Sequence, residues 1–262
     1  MDTKHLKKTV IMLSLVTAAA AAQASPKPAG TFAVEVKATA PEQYAYATRI
    51  TPDAADRTLR DVAVIRSVEA LSVIPRRWPG ERAWGIRAYR EMMTRLAGAR
   101  LYDNAISVCD TAIAYAGKTP DALVFVAAKG RSLMWLGRMD EARDAFNRAT
   151  SGEFNRLGDF DQNSILLDAM IFHEQEKNFV AAAKDARARA KIAKSDLSRA
   201  EALRKALELS MRANDRAAAK GDLAALSDAA LNARMRTLSP EESQVLRRID
   251  TEIAQYGRRL GM

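Results

Sequence analysis

The chain has one cysteine, Cys109, and two histidines, His5 and His173. A single thiol excludes an internal disulfide. One cysteine and so few histidines cannot supply a closed zinc set. No glycine-rich phosphate loop occurs, and no serine sits in a nucleophile elbow. Carboxylates are plentiful, but no pair stands isolated among apolar residues in a way that would split their pKa values. His173 therefore reads as a satisfied or exposed helix residue, since a triad is defined by geometry and not by a lone imidazole. Cys109 reads as a small buried hydrophobe. Nothing here points to catalysis, a cofactor or a metal, and the reading is of a protein that is not an enzyme. After the first two dozen residues no apolar run is long enough to cross a bilayer.

The N-terminus carries an address. Lys4, Lys7 and Lys8 form a basic start, an apolar run follows from Thr9 to Ala22, and Ala22-Gln23-Ala24 is a small-x-small cleavage site. Residues 1–24 thus read as a secretory signal peptide, with Ser25 beginning the mature chain. The expected location is periplasmic. The alternatives are a secreted protein or one anchored by an uncleaved N-terminal helix.

Charge is the next constraint. The full chain has 41 Lys and Arg against 32 Asp and Glu. Removing the leader takes three lysines and one aspartate, leaving 38 against 31. In the cytosol such a balance would raise nucleic acid as a partner, but export argues against it. Acids and bases also alternate along predicted helices, as in RMDEARDAFNR, which marks a solvated face. Anionic envelope material (lipopolysaccharide, peptidoglycan, acidic protein segments) stays open as a peripheral partner.

The stretch Thr119–Thr150 organises the rest. Thr119 is placed to cap a helix, with Pro120 and Asp121 following in its first turn. Leu123, Val126, Leu133 and Leu136 are its apolar positions. Gly137 ends it where a positive φ is cheapest for a residue without Cβ. A second helix then carries Met139, Ala142, Phe146 and Ala149 at spacings of three and four. Small Gly130 and Ala142 permit a close crossing, and Phe146 fills the space beside them. This spacing resembles the tetratricopeptide repeat (TPR), a helix–turn–helix unit of 34 residues. An ordinary helical hairpin in a non-repeat bundle is the alternative.

Related hairpins flank it. Residues 81–116 place Trp84, Tyr89, Met93 and Leu96 on a first helix and Ala105, Cys109 and Ala112 on a second. Residues 160–193 place Leu166, Met170 and His173, then Phe179, Ala182, Ala186 and Ala190. Upstream, 25–52 hold four of the eight prolines and read as an extended arm or linker. In it, Phe32, Val34 and Val36 alternate as a short strand would, an unstructured tether being the other reading. Thr51-Pro52-Asp53 predicts a helix running to about Leu71, broken by SVIPRRWPG, with Trp78 packed over a helix end. Beyond Ser195 the next turn falls at Ala213-Asn214-Asp215 or at Gly221-Asp222. Finally Ser239, Pro240 and Glu242 form a capping box, followed by an apolar stripe of Leu246, Ile249, Ile253, Tyr256 and Leu260. The expected fold is all-α: antiparallel helix hairpins over 53–262, stacked as a short TPR-like solenoid with a C-terminal capping helix.

The resemblance implies a non-enzymatic protein-binding scaffold or adaptor, lined by residues of each first helix and holding a protein or peptide partner, acidic segments included. Carried onto this chain, the groove would show Arg87, Arg90 and Thr94, then Arg131 and Trp135, then Ile171 and Glu174. Arginine and tryptophan concentrate interface energy, and arginines can grip carboxylates bidentately. The competing reading leaves the arginines solvated and packs Trp135 between hairpins. The alternative function is a binder of anionic envelope glycan or lipid through the basic surface.

Overall fold

The computed structural model describes residues 34–50 and 57–262. The leader, Phe32 and the Thr51-Pro52-Asp53 cap lie outside the described residues. Within them the chain forms helices α1 (Ala40–Arg49), α2 (Arg57–Arg77), α3 (Arg82–Gly98), α4 (Tyr102–Ala116), α5 (Asp121–Trp135), α6 (Met139–Ala149), α7 (Asp159–Gln175), α8 (Phe179–Ile192), α9 (Asp196–Arg212), α10 (Arg216–Arg234) and α11 (Pro240–Leu260). The chain divides into two compact units after Leu136.

In the first unit, α2 packs against both α1 and α3, and α4 against both α3 and α5. First helices of the hairpins thus form one layer and second helices the other. Leu71, Ile74, Leu96, Cys109 and Phe125 are sealed in the core. Tyr89 lies with its ring 5.3 Å from that of Tyr115 and 6.3 Å from that of Phe125.

Two expectations are corrected here. Part of the supposed arm is α1, because Thr39 and Glu42 form a capping box and Pro41 occupies the first turn, where its missing N–H is harmless. The helix is fastened by polar bonds. Gln43 Nε2 donates to the Ala70 carbonyl at 3.0 Å, and Ser67 Oγ to that of Ala47 at 2.9 Å. Arg95 donates to the carbonyls of Ile50 at 2.8 Å and Thr48 at 2.9 Å, satisfying the helix end. Residues 34–37 are not a strand; the Lys37 N–H donates to Gln43 Oε1 at 2.8 Å instead. The second correction is that α2 runs on to Arg77 with Pro75 inside it. Burial of Leu71 and Ile74 outweighs the hydrogen bond proline removes. Trp78 packs partly buried against the same core, as the sequence suggests.

In the second unit, α6 meets α7 with the rings of Phe146 and Phe172 5.1 Å apart. Helix α8 packs on α7 and α9, and α10 on α9 and α11. The faces are alanine-rich, with Ala182, Ala183, Ala186 and Ala206 beside Leu209. Helix α11 has the expected Ser239–Glu242 capping box. Leu246, Ile249 and Leu260 are buried, and Ile253 and Tyr256 partly so.

The turns show the repeat more clearly than the helices do. Arg100, Gly137, Lys177 and Asn214 have positive φ, at steps of 37, 40 and 37 residues. Five residues after each stands a sealed alanine: Ala105, Ala142, Ala182 and Ala219. The longer step contains the loop 150–158, which winds into a 3-10 turn at Gly152–Arg156. The open choice after Ser195 is thereby settled. Asn214 makes the turn, and Gly221 and Asp222 lie inside α10. One capping expectation fails, since the Thr119 hydroxyl donates back to the Ala116 carbonyl at 2.9 Å and does not cap α5.

Candidate functional site

The exposed side of the first-helix layer in the first unit carries the predicted residues. Arg87, on α3, faces α1. Its guanidinium carbon lies 4.7 Å from the Tyr44 ring centre and 5.1 Å from that of Trp84. Those rings are themselves 5.5 Å apart. Arg87 is solvent-exposed, and among the described residues no acceptor takes its N–H groups. Stacking holds the guanidinium plane while the edge donors remain open.

Arg90, one turn on, is engaged differently. Its Nη2 lies 3.0 Å from Asp121 Oδ1, which ties α3 to the start of α5. The Thr94 hydroxyl donates to the Arg90 carbonyl at 2.9 Å. Arg131 is half-buried on α5. Trp135 closes α5 with 55% of its surface exposed, too much for a packing residue of this unit. Arg87, Arg90 and Thr94 are therefore neighbours on α3, with Arg131 and Trp135 on α5.

Ile171 and Glu174 lie in the second unit, on α7. There the Glu174 carboxylate accepts from Lys205 Nζ at 3.2 Å and from Arg212. Arg212 also covers the Phe179 ring at 4.2 Å. Glu174 is thus already neutralised within its own unit.

The sequence reading missed Tyr44, because it lay in a stretch taken for a linker. The signal was present: Thr39-Ala40-Pro41-Glu42 has the cap, proline and acid arrangement of Ser239-Pro240-Glu241-Glu242.

The groups that elsewhere do chemistry are occupied. His173 Nδ1 lies 2.8 Å from Asp185 Oδ2. Cys109 is sealed beside Met93, and burial, then the neighbouring Asp110, pushes its thiol up to about 12. Burial also raises Tyr89, with Tyr115 adding to the effect. Among the described residues no three His, Cys, Asp or Glu side chains are grouped to hold a metal. No described helix is long and apolar enough to cross a membrane.

No protein-family model matches the sequence, and no curated protein matches it. Solved structures do. The nearly identical TPR-like repeats of a Podosopora anserina protein assigned as a kinesin light chain are 13% identical, with a TM-score of 0.50 over 72% of this chain and 93% of that one. A single-substitution variant of that protein gives 0.51 over 75% and 96%, again at 13% identity. The fold is TPR-like. At this identity the likeness concerns architecture alone, and the side chains on the first-helix layer are this chain's own. In a TPR-like array that layer is continuous from hairpin to hairpin, so Tyr44 and Trp84 come together from different hairpins to hold Arg87.

Proposed function

We propose that this chain is a non-enzymatic adaptor, exported to the periplasm, which holds an acidic segment of a protein partner on its first-helix layer. The observation that carries the reading is Arg87, laid against Tyr44 and Trp84 with its donors unclaimed. A guanidinium so fixed loses little freedom when it binds a carboxylate bidentately. Tyrosine, tryptophan and arginine are also the side chains that dominate interface energies. Trp135, exposed on the same layer, supplies an apolar contact farther along a bound segment. The sealed Cys109 thiol, pushed up to about 12 by burial, supports a binding role over nucleophilic chemistry at that residue.

The test is a fluorescence-anisotropy titration of the full chain with labelled peptides ending in acidic residues, with free or amidated C-termini, beside lysine-rich peptides of equal length. The reading expects saturable binding of the acidic set alone. It expects Arg87→Ala to weaken that binding by roughly tenfold or more, the loss of a charge-assisted bidentate contact. Equal binding of acidic and basic peptides, or full affinity in Arg87→Ala, would refute it.

A further inference from the structure

Helix α11 has an unusual division of charge. Its two mid-helix acids are turned to neighbouring helices: Asp250 pairs with Arg234 of α10, and Glu252 with Arg204 of α9 at 3.4 Å. Its arginines are not so employed. Arg247, Arg248, Arg258 and Arg259 are all exposed, and among the described residues none has a carboxylate partner. Eleven residues separate the two pairs, which is three helical turns, so they share one face about 16 Å apart. Between the two pairs the exposed positions are Thr251, Ala254 and Gln255, while Glu252, one turn after Arg248, is held by Arg204. The capping acids Glu241 and Glu242 lie in the first turn, before the face begins.

A large exposed apolar side chain follows the second pair. Met262, just past Arg258 and Arg259, is 63% exposed while its N–H bonds back to the Gly257 carbonyl at 3.0 Å.

The geometry points to the outward face of α11 as a docking surface for an anionic phospholipid bilayer. Four guanidinium groups without carboxylate partners, that of Arg259 lying 5.8 Å from the Tyr256 ring centre, are spaced along one helix so as to meet an extended plane of phosphates. Exposed Met262 beside the second pair suits the headgroup–acyl boundary, a preference that a polynucleotide does not share. The contact is peripheral. The apolar stripe of α11 is buried in the second unit, so the helix cannot also embed that stripe in lipid. This inference involves none of Tyr44, Trp84, Arg87 or Trp135 and stands or falls apart from the adaptor reading.

The test is co-sedimentation of the full chain with vesicles of phosphatidylglycerol and phosphatidylethanolamine in equal parts, against pure phosphatidylcholine, over a range of salt. The quadruple variant Arg247→Gln, Arg248→Gln, Arg258→Gln, Arg259→Gln keeps good helix formers on a solvated face. The control Lys118→Gln, Lys184→Gln, Lys191→Gln, Lys220→Gln removes the same net charge from exposed sites elsewhere. Each basic residue near an anionic leaflet adds about fivefold to partitioning. The expected result is binding to the anionic vesicles only, falling steeply with salt, weakened by roughly several hundredfold in the arginine variant and far less in the lysine control. Equal losses in the two variants, equal binding to phosphatidylcholine, or tighter binding to a DNA duplex than to anionic vesicles would overturn the assignment.

Discussion

Arg187 of α8 closes a two-pronged ion pair with Asp222 of α10, Nε lying 2.7 Å from Oδ1 and Nη2 2.8 Å from Oδ2. Ser210 of α9 sits between them, donating to Asp222 Oδ2 at 2.7 Å and accepting from Arg187 at 2.7 Å. Three helices of the second unit meet at this cluster, and the Asp222 side chain is only 5% exposed. Hydrogen bonding to Asp222, opposed by burial, raises the Arg187 pKa. Arg187→Ala would strand a buried carboxylate, and denaturant unfolding should show a loss of about 3 kcal/mol. Replacing the pair with Arg187→Met and Asp222→Leu should recover much of it. An Arg187→Ala protein as stable as the parent would show the cluster to be idle.

Gly85 is needed by its neighbour. A β-carbon there would lie 2.2 Å from the Tyr115 phenolic oxygen and 2.6 Å from its ring carbon. Helix propensity alone predicts that Gly85→Ala stabilises α3 by about 1 kcal/mol. The clash should reverse the sign, giving a net loss of roughly 1–2 kcal/mol. Thermal melts of Gly85→Ala with and without Tyr115→Leu decide between these, since the second change removes the obstruction.

The turn pattern makes another prediction of sign. Lys177 holds φ +59°, is exposed, and does structurally what Gly137 does at φ +78°. A side chain in this region costs about 1–2 kcal/mol, partly offset by the greater freedom of glycine in the unfolded chain. Lys177→Gly should therefore raise stability by about 0.5 kcal/mol, read as a higher denaturation midpoint at unchanged slope. A lower midpoint would contradict the turn assignment.

Cys109 should be silent toward thiol reagents at pH 8 until the chain unfolds. Its folded pKa of about 12 lies above that of a free thiol. A raised folded value contributes stability that is complete below the unfolded pKa and is lost as pH climbs through the folded one. Cys109 should thus cause stability to fall between about pH 9 and 12, and Cys109→Ala should flatten that decline. Prompt labelling of the native protein would exclude the sealed position.

The parts of this fold that read clearly from sequence are those governed by neighbours in the chain. The Ser239–Glu242 box, the hairpin of residues 81–116 and the stripe of α11 each follow from spacings of three or four. Pro41 and Pro75 misled because proline's meaning depends on register. The first begins a helix, while the second is tolerated inside one by the burial around it. Four positive-φ turns went unseen as a series because only Gly137 among them is glycine. Arg187 and Asp222, 35 residues apart, have no local signature. Arg87 was legible as a first-helix residue, but its aromatic support from Tyr44 required α1.

The three tryptophans allow the adaptor reading to be tested most directly. Trp84 supports Arg87, Trp135 is exposed on the same layer, and Trp78 packs partly buried against the core. Their indole N–H resonances should be followed by NMR during titration with an acidic peptide bearing a free C-terminus. The Trp84 signal should move progressively to saturation while that of Trp78 stays in place. A peptide that binds with Trp84 unmoved would contradict the account.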